Sequence, residues 1–339
     1  MSGLPFKLGA GAATAARKVL AELRRGKRFL AASHIRADGD GLGSALAFVR
    51  LARKLGKKAH AAAELGAIPE YRFLPGADAV ADGPAGLWPA YDAVFTFDCG
   101  SFDRLGTIGA ALPRESRVVN VDHHVSNTRF GAVNWVDDSF ASTTEMAYVL
   151  AKFSGTKIDA DMATNLYTGI VTDTGGFSFS NTSARTHAIA ADLLACGVKP
   201  AKVTGELYRQ KTPGQLKLLA RMAESIRATD DGTVAWAVLT RAMTDECGHY
   251  PYETQEYVNL IRSMKGVRVA ILFRELKEDP RIRISFRTSD GVDGSKLASF
   301  FGGGGHRRAS GAMLEGGAEE VAARVVRRAV EFVSEAGRA

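Results

Sequence analysis

The sequence has few cysteines and no long apolar run. Its three cysteines, Cys99, Cys196 and Cys247, are far apart, and none has a CxxC spacing. This usage argues against a zinc ribbon and is typical of a reducing compartment. No segment approaches the roughly 18 apolar residues that a membrane helix needs, and no signal-peptide core precedes a cleavage site. We therefore expect a cytoplasmic protein that has no membrane partner.

The composition is that of an ordinary globular protein, but its charge is unevenly distributed. Of the 339 residues, 46% are hydrophobic and 24% are charged, which is usual for a soluble fold. Residues 1–60 contain 13 of the lysines and arginines but only three acidic residues. A basic surface suits a polyanionic ligand, although a solvated helix explains any single one of these charges equally well. The length predicts two domains at about 100–200 residues each.

Strands alternate with helices in the first half of the chain. The predicted strands are Arg28–Ser33, Lys58–Glu64, Tyr91–Phe97 and Arg117–Val121. The predicted helices are Gly41–Leu55, Ser139–Lys152, Ala160–Val171 and Ala184–Cys196. This alternation predicts an α/β fold in which a parallel sheet has helices on both faces.

A second alternation follows a helical stretch from Pro200 to about Arg227. Its predicted strands are Val234–Leu239, Val267–Arg274 and Arg281–Thr288, and its predicted helices are Glu253–Met264, Asp293–Phe301 and Ala318–Glu335. We therefore predict a first domain over residues 1–198, a helical linker over 199–230 and a smaller α/β domain over 231–339.

Three predicted strands and one predicted helix lead into ionisable residues. The first strand is followed by His34, Asp38 and Asp40, the third by Asp98, the fourth by Asp122, His123 and His124, and helix Ala160–Val171 by Asp173. Ligands bind at the carboxyl ends of strands in open α/β sheets, so these side chains are expected to form one site. Each group alone is weak evidence, but four separate elements that all lead into ionisable residues are hard to explain by accident.

The residue types in this set favour a particular kind of metal. Carboxylates and imidazoles without paired thiolates disfavour structural zinc and suit Mn²⁺, Mg²⁺ or Co²⁺. Several aspartates in one buried site would be heavily penalised without counter-charge, and two divalent cations would supply that charge. Such a pair, roughly 3.5–4 Å apart, activates a water and stabilises the oxygens of an in-line displacement. The chemistry that most needs this arrangement is hydrolysis of a phosphate ester.

Five motifs carry a family resemblance from about residue 15 to the end. They are SHIRADGDGLGS, FDCGS, VDHHVSN, VTDTGGFSFSNTS and GGGGHRRASG. Together they resemble the DHH family of phosphoesterases, in its two-domain NrnA-like branch of small oligoribonucleases. The resemblance implies an N-terminal DHH domain, a C-terminal DHH-associated domain and a substrate cleft between them.

The same resemblance assigns roles to the residues of the site. One metal ion would be held by His34, Asp38 and Asp98, and a second by Asp40, Asp98, His123 and Asp173. Asp98 would bridge the two ions. Asp122 would orient an imidazole, and His124 would contact the scissile phosphate or assist the leaving group. Ala37 stands where the family usually has proline, a change expected to loosen the loop without removing a ligand.

The glycine-rich motif of the second half is expected to bind substrate. Gly303, Gly304 and Gly305 permit positive φ angles and close approach, and successive free N–H groups form an anion-binding nest. His306 and Arg307 add positive charge. In the family this loop grips the substrate's other phosphate or nucleotide. Arg262 and Arg287 are further phosphate-binding candidates by the same resemblance, with a strand-edge surface charge as the alternative for each.

The expected function is hydrolysis of very short nucleic acids. The substrates would be short single-stranded RNA, linear dinucleotides such as pApA, and the 3′-phosphate of 3′-phosphoadenosine 5′-phosphate (pAp), with Mn²⁺ as the expected metal. One alternative is a family II inorganic pyrophosphatase, which would have an Arg-Lys-x-Lys-type signature instead of GGGGH. Another is a non-catalytic nucleotide-binding module, which would lack metal ligands. The sequence leaves a homodimer open.

Overall fold

The computed structural model describes residues 4–209, 211–251, 255–289 and 291–336, with the backbone alone at 255 and 256. It divides the chain into two compact units, residues 1–210 and 211–339. The segment 199–230 contains two helices, which fall on either side of this division. None of the helices within the described ranges is long and apolar enough to cross a membrane.

A parallel sheet of six strands organises the described part of the first unit. Its strands are β1 Arg28–Ser33, β2 Lys58–Ala63, β3 Ala81–Asp82, β4 Ala93–Phe97, β5 Val118–Asp122 and β6 Val133–Val136. They lie in the order β3-β2-β1-β4-β5-β6, so the strand order reverses between β1 and β4. Such a reversal opens a crevice at the carboxyl ends of the strands, where open α/β sheets bind their ligands.

Helices cover both faces of this sheet, as predicted. They are α1 Ala10–Arg25, α2 Gly39–Lys54, α3 Gly106–Ala111, α4 Thr143–Ser154, α5 Ala160–Asp173, α6 Ala184–Ala195 and α7 Pro200–Tyr208. On one face Phe29 and Ala31 of β1 join a large core with side chains of α1, α2, α4 and α5. Successive strand residues point to opposite faces, and Leu30 accordingly packs with Leu105 and Ile108 on the other side.

Two glycines allow α2, α4 and α5 to approach one another closely. A Cβ added at Gly43 of α2 would lie 2.5 Å from the backbone oxygen of Asn165 in α5. One added at Gly169 of α5 would lie 2.4 Å from Cγ2 of Thr144 and 2.9 Å from Cα of Asp40. Since both spaces are smaller than any side chain, this packing fixes where the first turn of α2 carries Asp40.

The second unit has a mixed sheet in its described residues. Its strands are β7 Arg227–Ala228, β8 Val234–Leu239, β9 Val269–Glu275, β10 Ile282–Thr288, β11 Gly304–Gly305 and β12 Ala309–Leu314, in the order β11-β12-β10-β9-β8-β7. Only β8 and β9 are parallel among these pairs. The helices are α8 Pro213–Glu224, α9 Arg241–Glu246, α10 Gln255–Arg262, α11 Gly294–Ser299 and α12 Ala318–Ala336. The predicted helix start at Glu253 lies outside the described residues.

Candidate metal centre

The central strands of the first sheet end beside one another and deliver the predicted ligands. His34 follows β1, Asp98 follows β4, and His123 follows β5. Asp98 has a left-handed backbone with φ 56°, which is uncommon for a residue other than glycine and often marks a functional turn. Its N–H donates to the Val121 carbonyl oxygen at 3.1 Å, so the turn remains anchored to β5.

Asp98 faces two groups of candidate ligands, one with each carboxylate oxygen. Its Oδ2 lies 3.4 Å from Nε2 of His34, which is itself 3.9 Å from Oδ1 of Asp38. Its Oδ1 lies 3.6 Å from Nε2 of His123 and 3.4 Å from Nδ1 of His124. Both groups have the spacing of metal-binding clusters. The carboxylate of Asp98 therefore belongs to both groups of candidate ligands.

A further group combines Asp40, His123 and Asp173. Nε2 of His123 lies 3.1 Å from Oδ2 of Asp173 and 3.9 Å from Oδ2 of Asp40. These three residues also have metal-ligand spacing. The structure thus brings together all six residues that the sequence predicted as ligands, although they lie after β1, β4 and β5, at the amino end of α2 and at the carboxyl end of α5.

The amino end of α4 holds Asp40, and the sequence reasoning missed this contact. The backbone N–H of Thr143 donates to Oδ2 of Asp40, and that of Thr144 donates to Oδ1, both at 2.7 Å. The hydroxyl of Thr143 also donates to Oδ1 of Asp98 at 3.1 Å. The signal was present as the capping-box pattern Ser142-x-x-Glu145, in which the Ser142 hydroxyl accepts from the Glu145 N–H. We predicted the helix to start at Ser139, whereas it starts at Thr143.

Asp122 lies behind the site and contacts His124. Its Oδ1 is 2.7 Å from Nδ1 of His124, and its Oδ2 accepts from Nδ2 of Asn127 at 2.6 Å. Asp122 is fully buried. A carboxylate in this position fixes the orientation and tautomer of an imidazole ring. The geometry therefore fits the predicted orienting role, with His124 as the imidazole concerned and Asn127 as an additional support.

Burial and mutual charge shift the pKa values of these groups in opposite directions. Burial lowers the pKa of His34, but the hydrogen bonds to Asp38 and Asp98 outweigh it and raise the pKa to about 10. Burial alone raises the pKa of Asp98, but His124, His34 and His123 hold it far below the usual range. Burial, with the charges of Asp98 and Asp173, raises the pKa of Asp40. The carboxylates raise the pKa values of His34, His123 and His124 and so favour the protonated imidazoles, and a metal ion would have to replace any such proton on a ligand.

The donor set fits divalent cations. The site contains four carboxylates, Asp38, Asp40, Asp98 and Asp173, together with the imidazoles of His34 and His123. Within the described residues, histidines are the sole ion-pair partners of these carboxylates. Several carboxylates in a buried site without lysine or arginine need positive charge from elsewhere. Oxygen and imidazole donors suit Mn²⁺ or Mg²⁺.

The glycine-rich motif of the second unit forms a hairpin with β12, which corrects one expectation. Gly302 and Gly305 have φ angles of 67° and 137°, whereas Gly303 and Gly304 do not have positive φ. The predicted positive φ is therefore confirmed at Gly305 but not at Gly303 or Gly304. The N–H groups of Gly303 and His306, however, donate to the carbonyl oxygens of Ala298 and Ala309. These two groups are therefore not available to an anion, and the predicted run of free N–H groups is wrong there.

Close packing against β12 explains two of the glycines in this motif. A Cβ at Gly303 would lie 2.1 Å from the carbonyl oxygen of Gly311, and one at Gly305 would lie 2.7 Å from that of Ala309. Gly304, Gly305, His306 and Arg307 are exposed. The exposed end of the hairpin thus presents the imidazole and guanidinium groups that we predicted to bind substrate.

The other two predicted arginines are associated with one face of the second sheet. Arg287 of β10 pairs in register with Ala270 of β9 and with Ala309 of β12. Ala270 packs with Tyr257 of α10, the helix that ends at Arg262. Since directly opposite residues of paired strands share a face, Arg287 lies on the face that α10 covers, next to the glycine-rich motif.

Comparisons with known proteins match both halves of the chain. The model described as "DHH family, N-terminal domain" matches residues 28–170, and the "DHHA1 domain" model matches residues 250–335. A relative from Thermus thermophilus, named bifunctional oligoribonuclease and PAP phosphatase NrnA, is 33% identical over 308 residues, 90% of each chain. A Bacillus subtilis protein of the same name is 27% identical over 83% of this chain and 87% of its own.

A solved structure is similar in fold over almost the whole chain. It is an exopolyphosphatase-related protein from Bacteroides fragilis, with a TM-score of 0.87 and 24% sequence identity. The match covers 94% of this chain and 96% of that one. The arrangement of elements described above is therefore also found in a crystal structure.

Proposed function

Because this chain belongs to the DHH family, we propose that it is a metal-dependent phosphoesterase that hydrolyses very short RNA and pAp. The family membership follows from the matched N-terminal model and from the 33% identity to the Thermus relative. The names of the Thermus and Bacillus relatives describe an oligoribonuclease and a PAP phosphatase. The proposed substrates are therefore oligonucleotides of a few residues, linear dinucleotides such as pApA, and pAp.

The observation that carries this proposal is the position of Asp98. Its two oxygens face His34 on one side and His123 on the other, at 3.4 and 3.6 Å. One shared carboxylate between two groups of donors is the arrangement that a two-ion centre requires. We propose that one ion is held by His34, Asp38 and Asp98, and the other by Asp40, Asp98, His123 and Asp173. Mn²⁺ is the proposed native ion, with Mg²⁺ and Co²⁺ as substitutes.

The residues around the proposed ions would orient the substrate and the catalytic imidazole. Bound divalent ions would supply a water of lowered pKa and positive charge for the phosphoryl oxygens. Asp122 accepts a hydrogen bond from Nδ1 of His124 and so would orient that ring. We propose that the oriented His124 contacts the scissile phosphate or assists the leaving group. The contact between Asp122 and Asn127 keeps this pair in place. Burial of Asp40 and Asp98 lowers the local dielectric and so strengthens their charge interactions.

We propose that the second unit binds the part of the substrate that is not cleaved. The hairpin residues Gly303, Gly304, Gly305, His306 and Arg307, together with Arg262 and Arg287, are the proposed contacts. A guanidinium suits phosphate because it presents a planar fork of donors. Arg287 pairs in register with Ala309, and this position beside the hairpin supports its inclusion. The exposed imidazole of His306 and guanidinium of Arg307 support the same role.

A substrate panel tests this proposal against the alternatives. The purified protein is incubated with Mn²⁺ and with 5′-labelled RNA of two to five nucleotides, pAp or pyrophosphate, and the products are separated by chromatography. We expect mononucleotides from RNA and AMP from pAp, with pyrophosphate a poor substrate. A strong preference for pyrophosphate would favour the pyrophosphatase alternative. Nucleotide binding without turnover of any substrate would favour a binding module.

A further inference from the structure

One short segment supports most of the predicted metal ligands. Residues 139–145, called the 139–145 segment here, comprise the end of the loop after β6 and the first turn of α4. The carbonyl oxygen of Phe140 lies 3.2 Å from Nδ1 of His123. Thr143 and Thr144 donate backbone hydrogen bonds to both oxygens of Asp40. The Thr143 hydroxyl reaches Asp98, so the segment contacts three ligands directly.

The same segment is linked to a fourth ligand through Asn181. Nδ2 of Asn181 donates to the carbonyl oxygen of Ala141 at 3.0 Å and to that of Asp173 at 3.1 Å. This side chain therefore joins the 139–145 segment to the carboxyl end of α5, which carries Asp173. A displacement of the segment would change the positions of ligands in both proposed metal groups together.

Glu145 and Arg185 hold the 139–145 segment in its conformation. Oε2 of Glu145 accepts from the Ala141 N–H and from Nε of Arg185, both at 3.2 Å. Nη2 of Arg185 donates to the carbonyl oxygen of Ser139. The guanidinium also lies over the Phe140 ring, 4.0 Å from its centroid. The arginine therefore contacts the segment at both its backbone and its aromatic side chain.

Stability alone does not explain this pair. Glu145 is fully buried, and within the described residues its Oε1 has no hydrogen-bond partner. A buried carboxylate with one unsatisfied oxygen is costly, and apolar residues of similar volume often stabilise a protein more than a buried ion pair does. The pair makes hydrogen bonds to the Ala141 N–H and to the Ser139 carbonyl oxygen. Apolar packing could not provide such directional contacts to the backbone of the segment.

We propose that Glu145 and Arg185 are positioning residues for the metal centre. By fixing the 139–145 segment, they set the positions of Asp40, His123 and Asp98 and so determine the affinity for divalent ions. This inference rests on the proposed metal-dependent function. Supporting residues of this kind typically change metal affinity or activity by about 10–100-fold when removed.

The chain offers a matched control for this role. Lys152 and Asp192 form a second ion pair between the same two helices, α4 and α6, with Nζ and Oδ2 2.7 Å apart. This pair lies near the carboxyl ends of both helices, whereas Glu145 and Arg185 lie near their amino ends. Lys152→Ala therefore removes an ion pair from the same helix interface without contacting the 139–145 segment.

The test compares Mn²⁺ binding by the full chain and its variants in calorimetric titrations without substrate. We expect Arg185→Ala to weaken Mn²⁺ binding by about 10–100-fold, and Arg185→Lys to weaken it less because the charge remains. Raising the Mn²⁺ concentration should restore the turnover of Arg185→Ala on pAp. Lys152→Ala should lower the Tm of the metal-free protein but keep the Mn²⁺ affinity of the wild type.

Two outcomes would overturn the inference. One is an Arg185→Ala protein that binds Mn²⁺ as tightly as the wild type, and the other is a Lys152→Ala protein that loses as much affinity. If Arg185→Ala does not fold, Glu145→Gln decides by the same measurement, because it removes the charge with little change of volume. Failure of the wild type to hydrolyse RNA or pAp would contradict the proposed function alone, since metal binding is measured without substrate.

Discussion

At the level of single residues, the geometry of Asp98 determines whether two metal ions could share the site. Asp98 has a left-handed backbone at φ 56° and does not continue the strand. Its carboxylate lies between His34 on one side and His123 and His124 on the other. Such a conformation costs of order 1–3 kcal/mol, and the surrounding contacts must hold it. The hydrogen bond from the Thr143 hydroxyl and the backbone contact to Val121 do so. Loss of the Asp98 carboxylate should therefore affect both groups of donors.

The first prediction concerns this carboxylate. Asp98→Ala should reduce Mn²⁺-dependent turnover of pAp by about 10³-fold or more, because losing one electrostatic group from an active site already costs about 10²–10³-fold. Steady-state assays at saturating Mn²⁺ measure the change. Asp161→Ala removes an aspartate that is about half exposed and pairs with Arg50, and it should retain full activity. Full activity of Asp98→Ala would refute the assignment.

The second prediction separates orientation of an imidazole from binding of a metal. Asp122→Asn keeps the size of the side chain but weakens its interaction with His124, so kcat on pAp should fall by about 10–100-fold. Mn²⁺ affinity should stay close to that of the wild type, since Asp122 faces His124 and Asn127. Parallel kinetic and calorimetric measurements test this. An equal loss of Mn²⁺ affinity would show that Asp122 takes part in metal binding.

At the scale of the element, the packing of α2 on α5 places the site. Gly43→Ala would bring a Cβ to 2.5 Å from a backbone oxygen of α5, so the helices must separate. Overpacking of this kind costs about 1–3 kcal/mol, and urea unfolding should show that loss. Gly11→Ala in α1 meets nothing within 4 Å and should leave stability unchanged or raise it by up to about 1 kcal/mol. Equal effects of the two substitutions would contradict this account of the packing.

Elements with a strong hydrophobic pattern were predictable, and those fixed by packing were not. The predicted strands Arg28–Ser33 and Val234–Leu239 have the same bounds in the structure. The predictions did not include β6 or β12. β6 has four residues with one fully buried, and β12 reads ASGAML. Such short or small-residue segments form strands because a neighbouring strand offers hydrogen bonds, which a local pattern does not reveal.

The same distinction applies to the residues of the site. Ionisable residues that follow buried elements were predictable, namely His34, Asp40, Asp98, His123 and Asp173, and three of these elements are strands of one sheet. The support that Asn181 and Arg185 give to the 139–145 segment was not, since each contact joins residues about 40 positions apart. Nothing in the local sequence of Arg185 distinguishes it from an ordinary polar residue on a helix.

At the scale of the whole molecule, protons and metal ions compete for one site. The pKa of His34 is about 10 in the metal-free fold, against about 6.5 in an unfolded chain. The bound proton therefore stabilises the metal-free protein fully below pH 6.5, and this contribution disappears as the pH rises towards 10. Metal binding must displace the proton, so Mn²⁺ affinity should increase as the pH rises.

The pH prediction follows from this competition. Between pH 6.5 and 8.5, Mn²⁺ affinity should rise by about tenfold per pH unit for each proton released. The Tm of the metal-free protein should fall over the same range, because part of the contribution of His34 is lost before pH 8.5. Calorimetric titrations in buffers of different ionisation enthalpy count the protons released. A pH-independent Mn²⁺ affinity would contradict the view that the imidazoles of the site bind protons before the metal.

The number of Mn²⁺ ions bound per chain is the most direct test of a site that shares Asp98. Equilibrium dialysis of the metal-free protein against Mn²⁺ gives this number without any assumption about substrate. We expect two ions per wild-type chain, and at the same free Mn²⁺ concentration fewer than two for Asp98→Ala, because both groups of donors use that carboxylate. A wild-type chain that binds one ion or none, or an Asp98→Ala chain that still binds two with wild-type affinity, would refute the shared site.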